Sequence, residues 1–269
     1  MDFPSVGATE NIMLVAAKAK GTTVITNAAR EPEIADLAGF LNGMGANIRG
    51  AGTGKVVITG VSRLNAAEYR VMPDRIVAGT YLTAAAITGG EIELIDVVTE
   101  HLEPILSKLE ETGCEIKKTK DKVMLVAPEK LKPIAQMRTL PHPGFPTDMQ
   151  AQMMALLSLA AGTSVITETV FEARTKHIAE LMRMGADIIL SPDGRTSVIK
   201  GIKRLEGASV EATDLRGGAA LILAGLAAEG KTVITNSEHV QRGYESIEKD
   251  LTLLGADISY INESKIVES

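Results

Sequence analysis

The chain has 269 residues, 45% of them hydrophobic, which excludes an intrinsically disordered protein and is enough for one or two folded domains. It contains 28 basic and 34 acidic residues, for a net charge of −6, and only 3% aromatic residues with no Trp. Nucleic-acid-binding surfaces are usually basic, and single-stranded bases stack on aromatic rings. The composition therefore argues against a nucleic-acid partner.

Cysteine content and hydropathy predict the compartment. Cys114 is the single cysteine, so no disulfide can form within the chain and a reducing cytoplasm is expected. The first residues have no basic stretch followed by an apolar core, as a secretory signal would. The longest apolar stretch, residues 219–228, is too short to span a bilayer. We therefore expect a cytoplasmic protein with no membrane partner.

Internal repetition is the strongest feature of the sequence. One series of similar segments (KGTTVIT, GGEIELI, AGTSVIT and EGKTVIT) has glycines with successive spacings of 69, 72 and 68 residues: Gly21, Gly90, Gly162 and Gly230. A second series (GANI, GCEI, GADI and GADI) has spacings of 68, 72 and 70 residues: Gly45, Gly113, Gly185 and Gly255. The two series share one period and predict four copies of one unit.

The elements of the unit follow in a fixed order. In the first copy, an apolar helix in PSVGATENIMLVAAKA precedes the strand TTVIT and a second helix, and the strands ANIRG and KVVITGV follow. The second helix ends at a glycine of the second series, which suits a left-handed C-cap. Units two to four also begin with a strand: EYRVM (68–72), QMRTL (136–140) and ASVEAT (208–213).

The fold class expected from this pattern is α/β, with tandem β-α-β-α-β-β repeats of about 70 residues. The first helix of each unit is apolar nearly all round, so we expect it to be buried. Only Met-Asp-Phe precede the first copy of that helix, where the other units have a strand. The chain therefore begins inside a repeat, and we expect it to be part of a longer protein.

Two sets of polar residues occupy equivalent positions in the units. One precedes the first helix: Ser5, Asp74, Asp148 and Asp214. The other lies in the loop after the middle strand, in every unit except the second: Arg30, Arg174 and Arg242. Helix capping explains the first set, and solvated loop cations would explain the second. Arginines beside helix N-termini also suit capture of carboxylate or phosphate, so an anionic-substrate site remains open.

Other candidate sites are weaker. The four histidines lack metal-ligand spacing, and GTGK (52–55) lies in a hairpin turn without the helix that a phosphate-binding loop requires. Cys114 takes the position that alanine holds in the sister units, so we interpret it as a small buried residue. The sequence thus predicts no metal site.

Six segments carry a resemblance to a known family: SVGATENIM (5–13), NAAREPEI (27–34), PDRIVAGTYL (73–82), PHPGFPTDMQAQ (141–152), ATDLRGGAAL (212–221) and RGYESIEKDL (242–251). In order and over essentially the whole chain, they resemble the UDP-N-acetylglucosamine 1-carboxyvinyltransferases of the enolpyruvyl transferase family. The resemblance implies a two-lobed fold with pseudo-three-fold lobes. The implied reaction transfers the enolpyruvyl group of phosphoenolpyruvate to the 3′-hydroxyl of UDP-N-acetylglucosamine in peptidoglycan synthesis, with no cofactor.

The resemblance also implies roles for individual residues. Asp148 matches the aspartate that takes the proton of the sugar hydroxyl, and Arg174 and Arg242 match arginines that hold phosphoenolpyruvate. The expected catalytic residues are therefore Asp148, Arg174 and Arg242. The expected substrate-binding residues, which include a uridine diphosphate segment at 5–7, are Ser5, Val6, Gly7, Thr147, Val170, Asp214 and Arg216.

The chain departs from the family at its start, because the family has a substantial portion before SVGAT that includes a catalytic-acid loop. We expect residues 1–71 to be a single repeat of the first lobe and residues 72–269 to be the second lobe with three repeats. We also expect little turnover by this chain alone and self-association through the exposed first repeat. A non-catalytic UDP-sugar-binding or regulatory fragment and a shikimate 3-phosphate enolpyruvyl transferase are the alternatives.

Overall fold

The repeat expected from the glycine spacing appears in the order of helices and strands in a computed structural model, which describes residues 1–261. Unit one contains α1 (Val6–Ala16), β1 (Thr22–Thr26), α2 (Pro32–Gly43), β2 (Asn47–Arg49) and β3 (Lys55–Thr59). Unit two contains α3 (Arg75–Ile87), β4 (Glu91–Ile95), α4 (Thr99–Glu111), β5 (Glu115–Lys118) and β6 (Lys122–Val126).

The third and fourth units differ from the first two by having one strand and two strands, respectively, before their first helix. Unit three contains β7 (Met137–Arg138), a 3₁₀ turn (Thr147–Met149), α5 (Gln150–Leu157), β8 (Thr163–Thr167), α6 (Lys176–Arg183), β9 (Asp187–Leu190) and β10 (Thr196–Lys200). Unit four contains β11 (Leu205–Glu206), β12 (Ser209–Glu211), α7 (Leu215–Ala227), β13 (Ala228–Glu229), β14 (Val233–Thr235), a 3₁₀ helix (Ser237–Arg242) and α8 (Ile247–Leu253).

Each of the first three units folds its strands into one small sheet. The strand orders are β1-β3-β2, β4-β6-β5 and β7-β8-β10-β9, so the last strand of each unit pairs antiparallel with the two strands that directly precede it in the sequence. In units three and four the added strand pairs parallel with the middle strand, β7 with β8 and β12 with β14. The α/β repeat architecture is confirmed.

The glycines of the second series all adopt the left-handed conformation predicted for a helix C-cap. Their φ angles lie between 94° and 99°: Gly45, Gly113, Gly185 and Gly255. A side chain at such a φ would be strained, which explains why one residue type recurs at this point of every unit.

The first helices of units two to four pack against one another and form the centre of the main core. All eight residues of α5 are buried, as the apolar pattern predicts. The expectation is wrong for α1, where Leu14 is 50% exposed and Val15 is 74% exposed. A helix is buried on several faces only where neighbours cover each face, and the main packing partners of α1 are α2, β1 and β3 of unit one. Its core, which runs from Met13 to Ile58, is a separate hydrophobic cluster.

The strand predicted at EYRVM is not formed, because residues 60–74 contain no helix or strand. The ring of Tyr69 packs against Phe40 at 5.4 Å between centroids, and its hydroxyl donates to Asp36 of α2 at 3.0 Å. These contacts hold the segment on unit one. The strands expected after α8 are also absent from residues 256–261, and the rest of that prediction lies outside the described residues.

Two smaller expectations are confirmed. The first three residues of GTGK lie in the turn between β2 and β3, which begins at Lys55, and the Cys114 side chain is buried at 5% exposure. Burial raises the pKa of the Cys114 thiol above its ordinary value, so the thiol is a poor nucleophile at neutral pH. Among residues 1–261, no helix is both long and apolar enough to cross a bilayer.

Close backbone contact at the end of a unit leads to the first prediction. Gly201 donates its N–H to the Gly162 carbonyl at 2.8 Å, and a Cβ on Gly201 would lie only 1.5 Å from the Ala160 carbonyl oxygen. We predict that Gly201→Ala lowers the free energy of unfolding by about 2–3 kcal/mol, because the backbone must separate. Urea denaturation measures the change.

Gly90→Ala is the matched control for this variant. A Cβ at Gly90 would meet its nearest neighbours at 3.7 Å, which is ordinary van der Waals contact. We expect Gly90→Ala to change the free energy of unfolding by less than about 1 kcal/mol. Equal losses in the two variants would contradict the close approach at Gly201.

Candidate active site

The side chain of Asp148 behaves differently from the other polar residues at the helix starts. Ser5 accepts from the Ala8 N–H, Asp74 from the first turn of α3, and Asp214 from the first turn of α7, so these three residues are caps. Asp148 makes no such bond, and the expectation of capping is wrong for it. The 3₁₀ turn Thr147–Met149 precedes α5 and includes Asp148, so its carboxylate is left for other partners.

Those partners are two arginines from different elements. Asp148 Oδ1 lies 2.7 Å from Arg174 Nη1, and Asp148 Oδ2 lies 3.1 Å from Arg216 Nη2. The side chains of Asp148, Arg174 and Arg216 are 35%, 19% and 12% exposed. A partly open carboxylate therefore lies between two largely buried guanidinium groups.

This environment changes the acidity of Asp148. Burial by itself would raise the pKa of the carboxyl, but the charges and hydrogen bonds of Arg216 and Arg174 outweigh burial and lower the pKa below its ordinary value. Asp148 is therefore a carboxylate at neutral pH. It is also a weak base for as long as both arginines remain paired with it.

Secondary structure positions each arginine separately. Arg216 is in the first turn of α7, where its backbone N–H donates to the capping carboxylate of Asp214 at 2.9 Å. Arg174 lies in the loop between β8 and α6. Its guanidinium donates to Thr147 Oγ1 at 2.9 Å and stacks over the ring of Phe171 at 4.8 Å from the centroid.

The remaining sequence-predicted residues lie around this group without joining it. Arg242 is exposed at the end of the 3₁₀ helix of unit four, and within residues 1–261 its side chain forms no hydrogen bond or ion pair. A Cβ at the next residue, Gly243, would lie 3.6 Å from Arg216 Nη1, so Arg242 is at the same end of the fold. Val170 lies in the Arg174 loop and is half-buried.

Residues 5–7 form the start of α1 in unit one. Ser5 and Gly7 are exposed and Val6 is half-buried. Unit one contacts the segment before Asp148, because the His142 backbone N–H donates to Glu31 Oε1 at 3.2 Å. A second link joins Arg75 of α3 to Glu33 of α2 at 2.9 Å.

Comparison with known proteins identifies the family. The sequence model of one family, described as EPSP synthase (3-phosphoshikimate 1-carboxyvinyltransferase), matches residues 1–251 of this chain. The chain belongs to the EPSP synthase family.

Two curated proteins are similar over almost the whole chain. UDP-N-acetylglucosamine 1-carboxyvinyltransferase 2 of Caldanaerobacter subterraneus subsp. tengcongensis is 57% identical over 258 residues, which are 96% of this chain and 61% of that protein. UDP-N-acetylglucosamine 1-carboxyvinyltransferase 1 of Halalkalibacterium halodurans is 53% identical over 265 residues, which are 98% and 60%. The chain thus spans about three fifths of the length of these relatives.

Solved structures of the EPSP synthase family share the fold. The enolpyruvyl transferase NikO from Streptomyces tendae superposes with a TM-score of 0.84 at 28% identity, over 94% of this chain and 60% of that chain. EPSP synthase from Acinetobacter baumannii superposes with a TM-score of 0.68 at 20% identity, over 96% and 62%. The second match supports the fold alone.

Two buried residues of this chain that lie beside Asp148 and Arg174 were not predicted from the sequence. Glu168 follows β8, where the other units have Asn or Asp, so the departure from the repeat was the available signal. His177 in α6 is 1% exposed, and its Nε2 has no partner among residues 1–261. The amphipathic pattern of α6 does not distinguish His177 from an ordinary core residue.

Burial of His177 leads to a prediction about pH. Burial lowers the pKa of His177 from 6.5 to about 4, with Asp214 opposing the shift and Arg174 adding to it. Between these two pH values the unfolded chain binds the extra proton and the folded chain does not, so stability falls as the pH falls through this window. We expect wild type to lose about 2 kcal/mol more than His177→Gln between pH 7.5 and pH 5.0.

Urea denaturation at the two pH values measures the difference. Carboxylates also titrate near pH 5, and they contribute equally to both proteins, so the comparison isolates His177. Parallel losses of unfolding free energy in wild type and His177→Gln would contradict the prediction.

Proposed function

We propose that this chain provides the base and the anion-binding side of a site that transfers the enolpyruvyl group of phosphoenolpyruvate to the 3′-hydroxyl of UDP-N-acetylglucosamine. The observation that carries the proposal is the Asp148 carboxylate between Arg174 and Arg216. Addition of a hydroxyl requires a base, and two anionic substrates require cations. The names of the two curated relatives, at 57% and 53% identity, support the choice of substrates.

The proposed reaction has two steps. The 3′-hydroxyl oxygen bonds to carbon 2 of phosphoenolpyruvate while Asp148 takes the hydroxyl proton and carbon 3 gains a proton from an acid. Carbon 3 then loses a proton, the double bond forms again and inorganic phosphate leaves. Arg174 and Arg242 hold the carboxylate and phosphate of phosphoenolpyruvate in this proposal, and Asp214 and Arg216 complete their surroundings.

The ion pairs of Asp148 suggest how the base becomes effective. Arg174 and Arg216 lower the pKa of Asp148 in the unliganded chain. An incoming phosphate or carboxylate competes for the same guanidinium groups, and each lost interaction raises the pKa of Asp148 towards its ordinary value. Binding of the anionic substrate thus strengthens the base at the moment when the hydroxyl needs it.

The sugar nucleotide is assigned to the surrounding residues. Thr147 and Val170 flank Asp148 and Arg174, and we propose that they contact the sugar. Ser5, Val6 and Gly7 begin α1, where unpaired N–H groups and the helix dipole favour the diphosphate. Units one and three are joined by the hydrogen bond between Glu31 and His142, which supports a site that includes residues of both units.

The division into lobes is part of the proposal. Residues 1–71 would contribute one repeat to the first lobe, and residues 72–269 would form the second. The separate hydrophobic clusters on either side of residues 65–75 support this boundary. Exposed Leu14 and Val15 on α1 support self-association of the chain through unit one. If the proposed reaction is correct, the protein acts in the cytoplasm. It then takes part in cell-wall synthesis, cell shape and cell division.

The acceptor is the first point to test. The family description names 3-phosphoshikimate 1-carboxyvinyltransferase, so shikimate 3-phosphate is the competing acceptor. We predict that titration calorimetry detects binding of UDP-N-acetylglucosamine to the 269-residue chain. Shikimate 3-phosphate should bind to the chain at least about tenfold more weakly, a difference of roughly 1.4 kcal/mol. Tighter binding of shikimate 3-phosphate would overturn the choice of acceptor.

Asp148→Asn tests the role of the carboxylate. The loss of a charged hydrogen bond should weaken UDP-N-acetylglucosamine binding about tenfold or more. Inorganic phosphate should bind more tightly to the variant, because Arg174 and Arg216 lose their internal counterion. Asp187→Asn on β9 is the control with the same charge change, and both affinities should match wild type. Unchanged binding in Asp148→Asn would contradict the proposal.

A further inference from the structure

Glu168 is a buried carboxylate beside the proposed site, at 1% exposure, where β8 ends. The residue at the equivalent point of every other unit is exposed and left-handed, with φ between 54° and 61°: Asn27, Asp96 and Asn236. Short polar side chains at positive φ are the common solution for a turn after a strand. Unit three replaces that solution with a longer side chain that is turned inward.

Four donors surround the Glu168 carboxylate. Oε1 accepts from Thr139 Oγ1 at 2.8 Å and from the backbone N–H groups of Val170 and Phe171 at 2.8 and 3.0 Å. Oε2 accepts from Thr147 Oγ1 at 2.8 Å. A carboxylate accepts and does not donate, so it can orient all four groups at once.

The hydrogen bonds that begin at Glu168 Oε2, called the Oε2 branch, connect Glu168 to the proposed base Asp148 through Thr147 and Arg174. The Thr147 hydroxyl gives its only proton to Glu168, so its oxygen lone pairs face the other way and accept from Arg174 Nη1 at 2.9 Å. The same nitrogen lies 2.7 Å from Asp148 Oδ1. Glu168 thereby fixes the direction of the Thr147 hydroxyl, which contacts the same Arg174 nitrogen as Asp148 does.

The hydrogen bonds that begin at Glu168 Oε1, called the Oε1 branch, act on Arg174 through the ring of Phe171. Bonds from Val170 and Phe171 hold the turn that carries the Phe171 ring, and the Arg174 guanidinium lies over that ring at 4.8 Å. Thr147 and Phe171 are thus the two supports of Arg174, and both depend on Glu168.

Turn formation alone does not explain this residue. Exposed Asn or Asp completes the same turn in the other three units, whereas burying a carboxylate costs free energy that only several good hydrogen bonds offset. The buried charge therefore has a task that the sister units do not share. Those units lack an aspartate paired with an arginine from this loop among residues 1–261.

We propose that Glu168 is a positioning residue that holds Arg174 against Asp148 through Thr147 and Phe171. The proposal rests on the proposed function for what the Asp148–Arg174 pair does to substrates. The positioning itself is a property of the unliganded chain and can be measured without any substrate.

Glu168→Gln in the full 269-residue chain tests the proposal. The amide keeps the shape and one oxygen acceptor but presents an NH₂ group to Thr147, so the hydroxyl must turn and its contact with Arg174 is lost. Carbon-13 NMR titration of the Asp148 carboxyl, assigned with Asp148→Asn, should show its pKa raised by about one unit, a tenfold change in proton affinity. The Arg174 Nε–H resonance should shift and broaden.

Glu172→Gln is the matched control, because Glu172 is exposed on the same loop and undergoes the same charge change. It should leave the Asp148 titration and the Arg174 resonance as in wild type. An unaltered Asp148 titration in folded Glu168→Gln would overturn the proposal, as would an equal shift in Glu172→Gln.

A second variant covers the case in which Glu168→Gln fails to fold. Thr147→Val removes the hydroxyl, preserves the side-chain shape and leaves Thr139, Val170 and Phe171 bound to Glu168. It should raise the pKa of Asp148 in the same direction, and an unchanged titration would refute the Oε2 branch.

Substrate binding separates the two proposals. Phosphoenolpyruvate should bind about tenfold more weakly to Glu168→Gln than to wild type or Glu172→Gln. Failure of wild type to bind either phosphoenolpyruvate or UDP-N-acetylglucosamine would count against the proposed function only. The NMR titration would then still decide whether Glu168 positions Arg174.

Discussion

Asp148 Oδ1 and Oδ2 each face a guanidinium group, at 2.7 and 3.1 Å, and the rest of the site is arranged around these two ion pairs. A partly exposed carboxylate between two mostly buried cations stays charged and stays in place, because leaving either arginine unpaired in a buried setting is costly. The pairs also join elements that are distant in sequence: the start of α5, the loop after β8 and the first turn of α7. The repeat fold brings these elements together at one end, since units three and four each place the start of their first helix beside the loop after their middle strand.

Several parts of the fold were predictable because they depend on local chemistry. The C-cap glycines need positive φ whatever surrounds them, so their spacing alone revealed the period of the repeat. The absence of a strand at EYRVM was not predictable in this way. The β propensity of this segment is overridden by tertiary contacts between residues about 30 positions apart. These contacts are the packing of Tyr69 on Phe40 and the hydrogen bond from Tyr69 to Asp36. Burial of α1 failed for a similar reason, because an apolar helix is covered only where neighbours pack against it.

The site was predictable in part. Comparison of the units put an acidic residue and an arginine at the same end of the fold, and the structure brings Asp148 within 2.7 Å of Arg174. The capping role expected for Asp148 was wrong because a 3₁₀ turn begins one residue earlier and separates its carboxylate from the first turn of α5. Glu168 escaped notice because its role depends on side-chain directions in three separate segments. Sequence spacing does not specify those directions.

The third unit shows how one copy of a repeat acquires an aspartate paired with an arginine of the loop after its middle strand, a pair that its sister units lack within residues 1–261. Its helix start is preceded by a segment with three prolines, which begins at Pro141 and forms a tight turn, with the Gly144 N–H donating to the Pro141 carbonyl at 2.9 Å, before the 3₁₀ turn. That turn releases the Asp148 carboxylate from capping, and Glu168 replaces the left-handed residue of the sister turns with an inward carboxylate. Each change alone would be unfavourable, since it gives up a cap or buries a charge. Together they place Arg174 between Thr147 and Phe171, where it pairs with the freed aspartate, so the two local costs are offset by one shared network.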